Sequence, residues 1–207
     1  MDNGSHRISS VEQLRAILGV PNAVTPKKLL TALDATAIDF IHRSPFLVLG
    51  TADADGNLDA SPKGDGPGFV MVESANTIVI PERRGNRLLF SLQNILASGR
   101  VGIIFMLPGT NETLRVNGSA ELSDDPKLLE AMTARGTPAL LAIRVTVREC
   151  FFHCAKAFIR SQLWQPQSWP EPMKISFGQL LAPKVGGDDR MARQIDELIA
   201  QDYKNNL

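Results

Sequence analysis

The sequence predicts an α+β chain centred on an antiparallel β-barrel of about six strands with flanking helices. Three observations carry this. Helical periodicity is strongest at the two ends of the chain, with only short helical interludes between. The middle holds apolar or alternating runs separated by turn residues. Strands and helices do not alternate strictly, and no Gly-x-Gly-x-x-Gly follows the first strand, which argues against a Rossmann domain.

The elements follow in order. Ser9-Ser10-Val11-Glu12 has capping-box spacing, and Val11, Leu14, Ile17 and Leu18 recur at helical intervals. Thr25-Pro26 opens a second helix through Leu29, Leu33 and Ile38 to His42, ended by Ser44-Pro45. Residues 46–51 and 58–62 read as a hairpin around Asp55-Gly56, and residues 63–68 as a loop. Residues 69–73 and 77–81 are two further strands. Asn86 caps a helix carrying Leu88, Leu89, Leu92, Ile95 and Leu96. Residues 101–107, 112–122 (with Gly118 as a bend) and 140–152 complete the strands. Asp125-Pro126 starts a short helix, residues 154–163 look helical, 164–172 are irregular, and 188–203 form an amphipathic helix. The expected division is a helical segment over 1–44, the barrel over 45–172 and a C-terminal extension over 173–207.

Bulk composition excludes several function classes. Lysine plus arginine and aspartate plus glutamate each count 22, so no global field favours nucleic acid or an anionic membrane. The longest apolar runs are too short to span a bilayer. The opening Met-Asp-Asn-Gly-Ser-His lacks the pattern of a secretory signal. Cys150 and Cys154, four positions apart, cannot staple a chain of this size, and a reducing cytoplasm is the expected compartment.

Four stretches can carry chemistry. Pro81-Glu82-Arg83-Arg84-Gly85-Asn86-Arg87 places three arginines at a strand-to-helix junction. There guanidinium forks and free helix N–H groups can cradle a phosphate; the competing reading is a solvated basic turn. Ser61, Pro62, Lys63 and Gly64 can line a flat cofactor, or form a plain loop. Arg115 and Asn117 share one strand face, towards a ligand, a dimer seam or solvent. His153, Lys156 and Arg160 recur at helical spacing and can face an anionic ligand, or solvent. Cys150, His153 and Cys154 fit no common zinc spacing, and the cysteines read as small buried hydrophobes. Trp164 and Trp169 cover a pocket, anchor a partner or pack in the core. No Ser-His-Asp order, Walker loop or catalytic carboxylate pair supports a hydrolase.

Taken in order, Phe46-Leu47-Val48-Leu49-Gly50-Thr51, Asp59-Ala60-Ser61-Pro62-Lys63-Gly64-Asp65, the 80–87 stretch, Arg115-Val116-Asn117-Gly118 and Cys150-Phe151-Phe152-His153-Cys154-Ala155-Lys156-Ala157 resemble the pyridoxamine 5'-phosphate oxidase-like FMN-binding split-barrel family. The resemblance covers residues 46–169, and within the family it is nearest a bacterial subgroup carrying the Cys-Phe-Phe-His-Cys-Ala-Lys stretch. It implies a split barrel, a homodimer with FMN at the subunit interface, and an FMN-dependent oxidoreductase acting on a small molecule. Residues 60–63 would line the flavin, with Pro81 leading into the loop in which Arg83, Arg84, Asn86 and Arg87 would hold the phosphate. Arg115 and the His153, Lys156 and Arg160 segment would approach from a neighbouring strand or the partner, with Trp164 and Trp169 near the isoalloxazine edge. A non-catalytic flavin-binding or stress-related module, or a haem-handling split barrel with His153 as ligand, are the competing functions. Leu163-Trp164-Gln165-Pro166 departs from the Arg-Leu-x-Pro-type substrate segment of true pyridoxamine-phosphate oxidases, so the resemblance does not carry over vitamin B6 as substrate.

Overall fold

The computed structural model describes residues 6–206. Residues 1–5, part of the stretch read above as no secretory signal, lie outside the described residues. Seven strands run β1 (Phe46–Ala52), β2 (Leu58–Gly64), β3 (Met71–Ser74), β4 (Thr77–Glu82), β5 (Arg100–Met106), β6 (Thr113–Ser123) and β7 (Leu141–His153). They form one antiparallel sheet in the order β2-β1-β5-β6-β7-β4-β3.

The sheet curls until β2 returns towards β4, with which it shares no backbone ladder. Side chains bridge this split. Lys63 Nζ lies 2.5 Å from Glu82 Oε2, and Arg83 Nε lies 3.1 Å from Asp65 Oδ2. The result is a split antiparallel barrel. Asp65 also receives Arg135 at 3.4 Å and is itself almost fully buried. Asp65→Asn would leave Arg83 with a weaker, neutral partner. It is expected to cost up to about 1.5–3 kcal/mol, the range for a hydrogen bond to a charged group. A urea midpoint equal to wild type would remove this closure from the account.

Alternation puts Leu47 and Leu49, Ile103 and Phe105, Leu114 and Val116, and Ile78 and Ile80 into the core. Helix α2 (Ala35–Arg43) packs Ala37, Phe40 and Ile41 against the same core, with Phe40 edge-on to Phe152 at 5.4 Å. Val79 and Ala142 face the other way, under α4 (Pro126–Ala131) with Leu128 and Met132. The remaining helices are α1 (Val11–Leu18), α3 (Phe90–Ser98), α5 (Lys156–Ser161), α6 (Phe177–Leu181) and α7 (Asp189–Asn205).

Several local expectations are corrected. The first capping box is Ser10 with Gln13, one residue later than Ser9 with Glu12. The second helix does not run from Thr25 to His42. A 3-10 turn, Thr25–Lys28, is followed by extended chain in which Leu30 pairs with Cys150 through both backbone groups. That pairing wins over helical propensity, and Asp34 caps α2 afresh, accepting from the Ala37 N–H at 2.8 Å. Asn86 does not cap α3: its Oδ1 accepts from Leu88 N–H, and α3 begins at Phe90 because Arg87 and Leu89 take positive φ of 61° and 60°. Lys63 and Gly64 belong to β2 rather than to a loop. His153 ends β7, so it does not share a helical face with Lys156 and Arg160 of α5.

The C-terminal helices form a hairpin. Asp196 of α7 accepts from Ser176 Oγ at 2.5 Å and from Gly178 N–H at 2.8 Å. The Ser176 hydroxyl foremost, then the Gly178 amide, hold its carboxyl below the ordinary 3.8. A depressed folded pKa gives stability present above 3.8 and lost as pH falls through the folded value. The protection of the α6 amides, taken against the intrinsic exchange rate at each pH, is therefore expected to fall as pH drops below 3.8. In Asp196→Asn that acid step should vanish, and parallel profiles for the two proteins would refute the assignment.

Candidate functional site

An open cleft of about 340 Å³ lies where β2, the exit of β4 and the start of α3 meet. Ser61, Lys63 and Glu82 form one wall, and the 83–87 loop with Leu88 and Leu89 forms the rim. Phe90, Leu92, Leu140 and Leu141 supply apolar surface. Helix α3 opens here without a side-chain cap, its N-cap Leu89 being left-handed. Its first N–H groups thus lack the usual partner at a point lined by Phe90, Ser91 and Leu92. Uncapped helix N–H groups beside basic residues form an anion site. Positive φ at two non-glycine residues, Arg87 and Leu89, is backbone strain of the kind that gathers at ligand sites.

The three arginines are not equivalent. Arg83 is half-buried and spoken for: besides Asp65, its Nη2 donates to the Met132 carbonyl at 2.7 Å. Arg84 Nη1 donates to Asn206 Oδ1 at 2.8 Å. Arg87 is exposed and has no hydrogen bond or ion pair among the described residues, so its guanidinium is available. Lys63 is held by Glu82 within the cleft wall. Ser61 Oγ donates to Asp59 Oδ2 at 2.7 Å.

The structure divides the sequence-predicted residues into groups. Ser61, Lys63, Arg83, Arg84, Asn86 and Arg87 share the cleft. Pro81 is buried in β4, opposite Ala142. Pro62 and Gly64 point to the outer face of the sheet, because alternation separates them from Ser61 and Lys63. There Pro62 opposes Val48, Val48 opposes Ile104, Ile104 opposes Arg115, and Arg115 opposes Phe151, one row across five strands. Arg115 and Lys28 both lie over the Phe151 ring, at 5.4 and 5.0 Å. His153, Lys156 and Arg160 are exposed beyond β7 and do not line the cleft. Trp164 stacks on Phe158 at 5.6 Å and donates Nε1–H to the Thr110 carbonyl at 2.8 Å. Cys150 is buried as expected, and desolvation foremost, then Asp34 and Glu149, push its thiol above the ordinary 9.0, which disfavours the thiolate. Cys154 is exposed, against the expectation that both cysteines are buried.

Sequence reasoning missed Leu140 and Leu141, whose place opposite the loop no local pattern announces. Glu82 and Asp65 stand within the two basic stretches but were given no role, and the helix N–H groups were expected near Asn86 rather than at Phe90, Ser91 and Leu92.

The sequence profile of the pyridoxamine 5'-phosphate oxidase family matches residues 33–154, more than half of the chain. The chain belongs to this family. The matched region starts ahead of β1 and takes in α2, in keeping with that helix's place in the barrel core. No curated protein matches the chain. Solved structures similar to this chain include HupZ of group A Streptococcus, 18% identical over 58% of this chain and 93% of that one, with a TM-score of 0.48. An FMN-binding protein from Syntrophomonas wolfei is 10% identical over 56% of this chain and 81% of its own (TM-score 0.44). General stress protein 26 of Bacillus anthracis is 12% identical over 56% and 88% (TM-score 0.43). Among the described residues, no helix is long and apolar enough to cross a membrane.

Proposed function

We propose that this pyridoxamine 5'-phosphate oxidase family member binds FMN in the β2–β4–α3 cleft and is an FMN-dependent oxidoreductase acting on a small molecule. The observation that carries the reading is the pairing of an uncapped α3 N-terminus and the unengaged Arg87 with an apolar wall in one cleft. The residues fit the group. A dianionic phosphate matches the basic rim, and a flat heterocycle matches Leu140, Leu141 and Phe90, with Ser61 and the Lys63–Glu82 pair to bond its polar edge. A volume of about 340 Å³ lies within the small-ligand range of about 300–1,000 Å³. The flavin supplies hydride or electron transfer; the chain supplies position and electrostatics. Glu82 holds Lys63 in place through their ion pair, and the apolar wall would exclude water from one side of the ring.

The reading includes a homodimer. The outer face carries Phe46, Pro62, Val48 and Ile104 beside Gly50 and Gly102, which face each other across β1 and β5. A Gly50 side chain would press on the Gly102 carbonyl at 3.2 Å, so this is a flat apolar patch of the kind that covers a second subunit. Arg115 lies on it, and a partner so placed would bring its own Arg115 towards the site. Ile104→Asp is expected to shift the protein from dimer to monomer in sedimentation velocity; a dimer of unchanged stability would move the interface elsewhere.

The deciding experiment is the visible spectrum of the protein with added FMN, followed by addition of a nicotinamide donor. Flavin bands perturbed on binding and bleached by the donor are expected. No binding refutes the cofactor. Binding without reduction by any nicotinamide donor favours a non-catalytic flavin-binding module over an oxidoreductase.

A further inference from the structure

We infer that the end of α7 completes the phosphate site from the same chain, with Asn206 as a positioning residue that holds Arg84 at the rim. This rests on the cleft's being a phosphate-binding FMN site. Arg84, together with Arg83 and Leu140, lines both that cleft and a second hollow of about 220 Å³, which Asn205 and Asn206 also line. Arg84 Nη1 donates to Asn206 Oδ1 at 2.8 Å, and Asn206 Nδ2 donates to Asp202 Oδ1 at 2.6 Å. Arginine only donates and aspartate only accepts, so the amide has one orientation that serves both. The chain Arg84–Asn206–Asp202 ends on a carboxylate, which polarises both bonds.

Two further features concern α7. The C-terminal end of this 17-residue helix carries the negative end of its dipole to the basic loop, a favourable match for Arg84. The helix is itself fixed to α6, where Asp196 binds Ser176 and Gly178. Gly178 lies so close to the Ala192 backbone that no side chain fits between the helices. The loop's exposed arginine is thus tied to a helix, itself braced against α6, through a residue 122 positions away in sequence. A guanidinium has five N–H donors, so the Asn206 bond leaves others for phosphate oxygens. Arginine already ordered loses less conformational freedom when the ligand binds.

The test is titration of the full chain with FMN and with riboflavin, which lacks the phosphate. Asn206→Ala is expected to weaken FMN about tenfold, equivalent to one modest charged hydrogen bond, and to leave riboflavin unchanged. Asp202→Asn should do the same to a lesser degree. In an Arg84→Ala background, Asn206→Ala should add nothing, because both act through one guanidinium. A wild type that prefers FMN over riboflavin but is indifferent to Asn206→Ala overturns the positioning role alone. Equal losses for FMN and riboflavin also overturn it, as a general structural effect. A wild type that does not distinguish FMN from riboflavin overturns the phosphate site itself, and this role with it.

Discussion

Gly118→Ala is expected to be the most damaging single-methyl change in the barrel. At this point of β6 the ladder to β7 slips: Asn117 opposes Glu149 while Gly118 opposes Val147, so Arg148 is the extra residue of a bulge. The slip drives the Thr146 carbonyl onto the α-carbon of Gly118. A β-carbon there would overlap the Thr146 oxygen and its carbonyl carbon, both backbone atoms. A flexible side chain could swing aside; a strand paired on both sides cannot. Overpacking a core costs about 1–3 kcal/mol, and backbone overlap puts this substitution at the top of that range or above. At about 3 kcal/mol the melting temperature should fall by about 6–12 °C for a chain of this size. Gly178→Ala supplies the contrast. Its clash with Ala192 is as severe, yet it sits between α6 and α7, outside the barrel. It should loosen the C-terminal hairpin with little effect on barrel melting. A Gly118→Ala protein melting within a degree or two of wild type, on the scale of about 2–4 °C per kcal/mol, would contradict the account of the bulge.

The same residues show what the sequence could reveal. Strand β7 was legible within one residue at each end because Ile143, Val145 and Val147 alternate, and alternation is a local property. Gly118 was legible as an irregularity, and the structure explains it as a bulge. The split hairpin partners Phe46–Ala52 and Leu58–Gly64 were legible through the turn between them. What failed depended on distant partners. Leu30 leaves the helical path because Cys150 offers it two backbone bonds. Asn86 fails to cap α3 because Arg87 and Leu89 turn left-handed, which no propensity foretells. In the site, the basic loop was legible as a strand-to-helix junction. The division of labour among its arginines was not, since it is set by Asp65, Met132 and Asn206, none of them within the loop.

That division makes the second large effect specific to one residue. Arg87→Ala is expected to weaken FMN binding by about ten- to a hundredfold, the value of a charged hydrogen bond of about 1.5–3 kcal/mol. Riboflavin should be unaffected, and so should the melting temperature, because Arg87 is exposed and engages nothing else among the described residues. Arg83→Ala should behave in the opposite way. Arg83 ties the split of the barrel to Asp65 and to the carbonyl of Met132, so its loss should lower stability first and FMN affinity only as the cleft loosens. The double replacement Arg83→Ala with Arg87→Ala weakens FMN on either account and so cannot separate clamp from scaffold; the single variants can. Calorimetric titration of each with FMN, alongside urea unfolding without it, gives two numbers per variant. A clamp at Arg87 and a scaffold at Arg83 require those numbers to move independently. If both variants lose affinity and stability in the same proportion, the loop is structural throughout, and the phosphate must be held elsewhere.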